Sequence, residues 1–296
     1  MEFRSVSLAL IAVALSGAVH LAGQDSHFNL EDIRKAARMI PGQRAQRVNV
    51  VKFAESRRTK NFSVKGAAAE PSVQARTAYQ VMYPDGYIMI DSGMDQQVHK
   101  FFGRGTEEPY DADANRQLQQ TLRGARSIVM THEHGDHVAG VIRTSFLDEL
   151  APKTVLTKAQ LQTLTTNPQM PEIKLTEQAA QRYIVIDYEK YFPFAPGFVL
   201  IKAPGHTPGS QMIYVALQNG KEYLFTGDSA WHMDNVRLMK GKDANWIKED
   251  EDALATQLKW LNNLSKGEKN LYIVVSHDEE QRKDYIEKGV LGGRLE

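Results

Sequence analysis

The hydrophobic and polar positions of this chain follow the two periods that separate strands from helices. Short apolar runs predict strands at residues 48–53, 78–82, 87–90, 127–130, 182–186, 198–202, 212–217, 222–225 and 271–275. Apolar residues at helical spacing predict helices at residues 30–39, 111–122, 158–165 and 250–264. The polar stretch 55–71, rich in glycine and alanine, is expected to be a loop. Strands mixed with helices, without a break in composition, predict an α/β fold.

The first 22 residues have the pattern of a secretory signal peptide. An apolar run at residues 6–15 precedes the small residues Ser16, Gly17 and Ala18, which favours cleavage after Ala18. The alternative is an uncleaved anchor, because residues 6–22 reach the length of about 17 residues that a spanning helix needs. The sequence therefore predicts export to the periplasm or the outside, with residues 23–296 as a single domain that leaves the membrane once the signal is cleaved.

Composition narrows the chemistry and the partners of this domain. The 36 Lys and Arg residues balance the 36 Asp and Glu residues, so the chain has no excess of positive charge that would favour a nucleic-acid partner. The chain has no cysteine, which excludes disulfides and thiolate ligands. A metal site in this protein must therefore be built from histidine and carboxylate side chains. The oligomeric state is left open by the sequence.

A dense group of metal-type donors follows the predicted strand 127–130. Residues 131–137 read THEHGDH, with His132, His134, Asp136 and His137 as candidate ligands. In an extended segment, side chains two positions apart point the same way, so the first two histidines can share one ion. The other two begin the next turn and can face a second ion. A histidine-rich surface loop is the alternative.

Three further donors stand in similar settings downstream. His206 lies in a Pro/Gly turn after a predicted strand, Asp228 follows the strand 222–225, and His277 follows the last strand. Five of the nine histidines thus fall at these places, which disfavours a chance cluster. A carboxylate has two oxygens and can bridge two cations about 3.5–4 Å apart, which is the role that we expect for Asp228.

In this order and spacing, the donors resemble those of the metallo-β-lactamase superfamily. The resemblance covers about residues 47–277, and the turn Asp91-Ser92-Gly93 is similar to an early Asp-x-Gly turn of that family. It implies a four-layer αββα sandwich with two Zn²⁺ ions at one edge, for which Mn, Fe or Co could substitute. It also implies a first zinc held by His132, His134 and His206, a second held by Asp136, His137 and His277, and Asp228 as the bridge.

The implied reaction is hydrolysis of a small-molecule substrate by a zinc-bound hydroxide. Asp136 would accept or relay the proton and Asp228 would hold both ions. The ending Ser276-His277-Asp278-Glu279-Glu280 is similar to that of N-acyl homoserine lactone lactonases, which favours a lactone or ester carbonyl. That branch often has a tyrosine donor where this chain has Trp231, so His232 is a candidate replacement donor.

Other functions stay open on the sequence. An organophosphate or phosphotriester hydrolase uses the same kind of metal site. A β-lactamase is disfavoured by the absence of cysteine and by Asp228. The non-enzyme alternative is a metal-dependent ligand-binding protein on the same fold.

Overall fold

A computed structural model describes residues 28–244 and 246–296. The predicted signal segment, residues 1–22, lies outside these ranges. Within them, no helix has both the length and the apolar character that crossing a membrane requires.

Two β-sheets form the centre of the molecule. The first has strands in the order β1 (Arg47–Thr59), β2 (Pro71–Tyr83), β3 (Gly86–Ile90), β4 (Ser127–Val129), β5 (Thr154–Thr157) and β6 (Ile184–Ile186). The second has the order β11 (Leu271–Val274), β10 (Glu222–Phe225), β9 (Gln211–Ala216), β8 (Phe198–Lys202) and β7 (Tyr191–Ala195). In the first sheet, β1 to β3 pair antiparallel and β3 to β6 pair in parallel. In the second sheet, β7 to β10 pair antiparallel and β10 pairs in parallel with β11.

Helices cover the outer faces of both sheets. They are α1 (Leu30–Ala36), α2 (Lys60–Ser63), α3 (Gln96–Gly103), α4 (Ala112–Gly124), α5 (Gly135–Ile142), α6 (Leu147–Leu150), α7 (Lys158–Thr166), α8 (Glu177–Ala180), α9 (Met233–Leu238), α10 (Glu251–Gly267) and α11 (Glu279–Glu287). Three apolar clusters separate the layers. One fills the space between the sheets, and the other two lie between each sheet and its helices. This is the predicted four-layer αββα sandwich.

The predicted loop at residues 55–71 is wrong. Strand β1 continues to Thr59 and pairs with β2 as far as Pro71, with the short helix α2 at the tip of this long hairpin. The sequence pattern failed because polar side chains on these strand ends have buried partners. Arg58, for example, forms an ion pair with Glu108. The pattern also missed β5, β7 and the helices α3, α5, α6, α8, α9 and α11.

The ends of four strands meet at one edge of the sandwich. Strand β4 comes from the first sheet, and β8, β10 and β11 come from the second. Two hydrogen bonds from Gln211 join the sheets at this edge: its backbone N donates to Thr131 O at 2.9 Å, and its side-chain Nε2 donates to Met130 O at 2.6 Å. The loops that follow these strands therefore start from fixed positions and point into a common space.

Candidate metal centre

The seven predicted donors converge at this edge in two compact groups. Each group has candidate ligand atoms that all lie within 4.8 Å of one another. The first group consists of His132, His134, His206 and Asp228, and the second of Asp136, His137 and His277. These groups could each hold a metal ion, and the composition of each is that expected from the sequence, with Asp228 placed in the first.

The loop that carries four of the donors is held by Asp91. Asp91 has a φ of 62°, an unusual value for a residue with a side chain, and it lies at the end of β3. Its carboxylate accepts a hydrogen bond from Thr131 N at 2.7 Å and contacts His137 Nδ1 at 2.8 Å. Helix α5 begins at Gly135, so Asp136 and His137 lie in its first turn. The strained turn thus fixes both ends of the donor loop.

Hydrogen bonds at one ring nitrogen orient the histidines toward the centre. Nδ1 of His277 lies 2.9 Å from Ala75 O, and Nδ1 of His206 lies 2.5 Å from Glu249 Oε1. With Nδ1 engaged in this way, Nε2 is the ring nitrogen that faces the other donors. His134 instead presents Nδ1, which lies 3.0 Å from His206 Nε2. Such an arrangement of lone pairs facing one another is suited to a cation.

Unsatisfied buried atoms provide a direct test of whether a metal fits. His132 Nε2, His137 Nε2 and Asp228 Oδ1 are buried and have no hydrogen-bond partner within the described chain. Burying a polar atom without a hydrogen-bond partner costs free energy, so these three atoms need a partner from outside the chain. Asp228 Oδ1 lies 3.4 Å from His137 Nε2, and its Oδ2 lies 3.3 Å from His206 Nε2. The two oxygens therefore face different groups, and the residues fit a pair of ions.

The electrostatics of the site keep most donors in their metal-binding forms. Burial, reinforced by His206, lowers the pKa of His134 to about 3. Burial alone would raise the pKa of Asp228, but the surrounding histidines, His277 foremost, outweigh it and hold that pKa well below its usual value. Burial would also lower the pKa of His137, but the neighbouring carboxylates outweigh it and raise that pKa.

A cavity of about 580 Å³ opens above the two groups. Donors from both groups line its floor. An aromatic wall rises on one side, where Phe62 stacks between Trp231 and Trp246 with ring centroids 5.8 and 5.0 Å apart. Phe62 comes from the tip of the β1–β2 hairpin, and Trp246 comes from the segment 239–250, which joins α9 to α10. An apolar wall beside a polar floor is typical of a small-molecule site.

Comparison with known families agrees with this geometry. The family model of the metallo-beta-lactamase superfamily matches residues 74–277, more than half of the chain. This chain belongs to that superfamily. The match contains all seven donors, and it confirms the resemblance that the sequence predicts.

The relatives of this superfamily member include lactonases. The N-acyl homoserine lactonase AiiA of Bacillus thuringiensis subsp. kurstaki is 23% identical over 218 residues, which cover 69% of this chain and 82% of that protein. The protein named "Probable RNase MJ4", of Methanocaldococcus jannaschii, is 26% identical over 220 residues. That match covers 69% of this chain, which spans 46% of the archaeal protein's length.

Solved structures of lactonases share the fold. An N-acyl homoserine lactone hydrolase with N-hexanoyl-L-homoserine bound at its catalytic metal centre aligns with a TM-score of 0.64 and 18% identity, over 82% of this chain and 97% of that chain. AidC, a dizinc quorum-quenching lactonase, aligns with a TM-score of 0.56 and 16% identity, over 78% and 87% of the two chains. At these identities, the likeness establishes the metallo-β-lactamase fold.

Within this superfamily site, Trp231 and His232 have different positions. Trp231 lines the cavity, and its indole Nε1 donates to Asp228 Oδ2 at 2.6 Å. His232 does not line the cavity. Its Nδ1 accepts from Asp234 N at 3.0 Å, and it caps the helix α9. These contacts are those of a helix cap, so the geometry gives no support to His232 as a donor to substrate.

Sequence reasoning missed several residues that contact the metal-site donors. Glu249 contacts His206, and the buried Lys242 binds Glu249 at 2.7 Å and the backbone oxygen of Asp228 at 2.5 Å. Arg76, on β2, contacts Asp136 and His277. Lys242 and Glu249 stand among other charged residues, and Arg76 stands alone between uncharged ones, so no spacing signal marks any of the three. Only the folded arrangement shows that these charges are buried and paired.

Replacing Trp231 with phenylalanine tests the indole contact to Asp228. The variant keeps an aromatic ring against Phe62 but removes the N–H donor, so Asp228 loses an orienting hydrogen bond. We expect metal affinity to fall by about tenfold, because partners of metal ligands typically contribute that much. Competition with a chromophoric chelator measures this. The same substitution at Trp246, which also stacks on Phe62, should leave the affinity unchanged. Equal losses in both variants would contradict the role of the indole.

Proposed function

We propose that this chain is a dinuclear zinc hydrolase that opens lactones or cleaves esters. The observation that carries the proposal is the placement of two donor groups, joined by Asp228, on the floor of a cavity with an aromatic wall. A catalytic site of this type needs open space above the metals for water and substrate, and the cavity supplies it. The lactonases among the relatives and structural neighbours support the choice of substrate class.

In the proposed assignment, His132, His134 and His206 would hold one ion, Asp136, His137 and His277 would hold the other, and Asp228 would be shared by both. When bound, two zinc ions supply Lewis acidity and an activated water at neutral pH. Among the side chains of the site, Asp136 has a further role in proton transfer. Asp136 lines the cavity floor, where a carboxylate can take up the proton released as water attacks.

The aromatic wall would bind the apolar part of the substrate. Trp231 lies beside Asp228, so an acyl or aryl group packed on Trp231 and Phe62 places its carbonyl next to the metal groups. Burying such a group stabilises the complex by about 25 cal/mol per Å² of apolar surface. The same contact excludes water from one side of the reacting carbonyl.

A substrate panel tests the proposal. The purified, zinc-loaded chain is assayed with an N-acyl homoserine lactone, an aryl ester, an aryl phosphotriester and a chromogenic cephalosporin, each with and without a chelator. We expect turnover of the lactone or the ester that the chelator abolishes and that added zinc restores. Turnover confined to the phosphotriester or the cephalosporin would retain the metal site and reject the substrate class. Two bound zinc ions with no turnover would favour the metal-dependent ligand-binding alternative.

A further inference from the structure

A buried arginine, Arg76, contacts the second donor group. Arg76 is 6% exposed and lines the same cavity as the donors. Its Nη1 forms an ion pair with Asp136 Oδ2 and lies 3.2 Å from His277 Nε2. Asp136 and His277 are two of the three members of the second group.

The contacts of Arg76 use lone pairs that a second ion would need. His277 Nδ1 lies 2.9 Å from the backbone oxygen of Ala75, and an oxygen only accepts, so Nδ1 carries the proton. Nε2 of His277 is therefore the acceptor for the Arg76 guanidinium. Correspondingly, His137 Nε2 is the atom of this group that has no hydrogen-bond partner within the described chain. The guanidinium and an ion thus compete for the other two donors.

Arg76 is held in place from two further sides. Its Nη2 donates to Ser56 Oγ at 3.2 Å, and its guanidinium lies 4.9 Å from the centroid of the Phe102 ring. Ser56 is buried on β1, and Phe102 belongs to α3. Since strand and helix both fix the guanidinium, it cannot leave the site by a simple rotation of an exposed side chain.

The buried cation near the first group is arranged differently. Lys242 Nζ binds Glu249 Oε1 at 2.7 Å and the backbone oxygen of Asp228. Neither atom is a donor of the first group, and the charge of Lys242 is matched by that of Glu249. Lys242 therefore takes up no ligand atom of the first group, whereas Arg76 shares two donors of the second group with a positive charge.

We propose that Arg76 competes with the second metal ion, so that the two groups fill in a fixed order. The first group binds its ion tightly, and the second binds at least about tenfold more weakly, because like charges at contact distance repel strongly in a buried site. When metal is scarce, the chain holds one ion, and the guanidinium of Arg76 supplies the positive charge beside Asp136. This inference rests on the metal assignment of the proposed function.

Metal titration of the full chain tests the order of filling. The metal-free protein is titrated with Zn²⁺ against a chromophoric chelator, and with Co²⁺ while the d–d absorption is followed. The unmodified chain should show two separated steps. Arg76→Gln removes the charge but keeps a donor, and it should tighten the second step by about tenfold or more while leaving the first unchanged. Arg76→Lys keeps the charge and should retain the weak second step.

Arg104→Met is the matched control. Arg104 also lines the cavity, but its guanidinium stacks 3.8 Å from the centroid of the Trp246 ring. Its loss removes the same charge from the cavity without changing a contact to a donor, so both steps should stay as they are. If Arg104→Met tightens the second step as much as Arg76→Gln, the inference is wrong.

Ligand variants keep the test decisive even if Arg76→Gln does not fold. His277→Ala should remove the weak step, and His206→Ala should remove the tight one. Loss of the tight step in His277→Ala would overturn the order. Two equal steps in the unmodified chain would reject the role of Arg76 but leave the metal assignment of the proposed function standing. Failure to bind any zinc would reject the metal assignment itself.

Discussion

Replacing Asp228 with alanine is expected to abolish hydrolysis, lowering kcat/KM by about a thousandfold or more, because in the proposed assignment Asp228 would be a ligand of both ions. Asp228 is buried, and its oxygens lie 3.2–3.7 Å from the Nε2 atoms of His132, His137, His206 and His277. No other carboxylate in the described chain belongs to the same donor group. Activity is measured on the substrate that the panel identifies, and bound zinc is measured on the same samples.

Asp243→Ala is the control for this experiment. Asp243 is exposed, on the segment that contributes Trp246 to the cavity wall, so its side chain can be removed without touching a donor. It should retain both zinc ions and near-normal activity. Asp228→Ala with two bound ions and activity intact would contradict the bridging assignment.

Gly140→Ala is expected to destabilise the protein by about 3 kcal/mol, even though alanine favours helices. Gly140 lies inside α5, and an added Cβ would overlap the backbone oxygen of Ser92. That oxygen belongs to the turn after Asp91, which cannot move freely, since Gly140 N donates to Gly93 O at 2.8 Å and Ser92 N donates to His137 O at 2.8 Å. Denaturant unfolding measures the loss of free energy.

The same substitution at Gly267 provides the comparison. Gly267 ends the helix α10, and an added Cβ would meet no heavy atom within 4 Å. Here only helix propensity acts, so Gly267→Ala should leave the free energy of unfolding unchanged or raise it by up to about 1 kcal/mol. A similar loss at both positions would show that the close approach of α5 to the Ser92 turn is not what limits position 140.

The donor set was predictable from the sequence because each donor lies in the segment that follows an apolar strand, within eight residues of its end. A buried strand has a short, recognisable pattern, and its end must lie at an edge of the sheet, so polar residues there are brought together. His206 and His277 illustrate this, since they are 71 residues apart in sequence (277 minus 206) and both face Asp228. The apolar pattern predicted only an α/β fold, and the four-layer sandwich was implied by the resemblance of the donor order to the metallo-β-lactamase superfamily.

The surroundings of the donors were not predictable in the same way. Ser56 and Arg58 read as solvated polar residues, but they lie on a strand that borders the cavity, and their partners come from distant segments. Lys242 and Glu249 likewise lack any periodic pattern. Their burial depends on pairing with each other and with His206, which is a property of the folded chain. The position of His232 next to Trp231 in the sequence suggested a functional residue, but in the structure His232 caps α9.

The aromatic wall has two sources that differ in how freely they could be redesigned. The hairpin tip contributes Phe62, and the tip meets the segment 239–250 through hydrogen bonds from Lys65 N to Gly241 O and from Asp243 N to Phe62 O. That segment also carries Glu249, which holds His206, so remodelling it would disturb the metal donors. In the described part of the chain, the contacts of the tip include none to a metal-site donor, and Phe62 reaches the donors only through its stacking on Trp231. A library that varies residues 60–66 should therefore change substrate preference at little cost to the catalytic floor, making the hairpin the natural starting point for evolving new specificities.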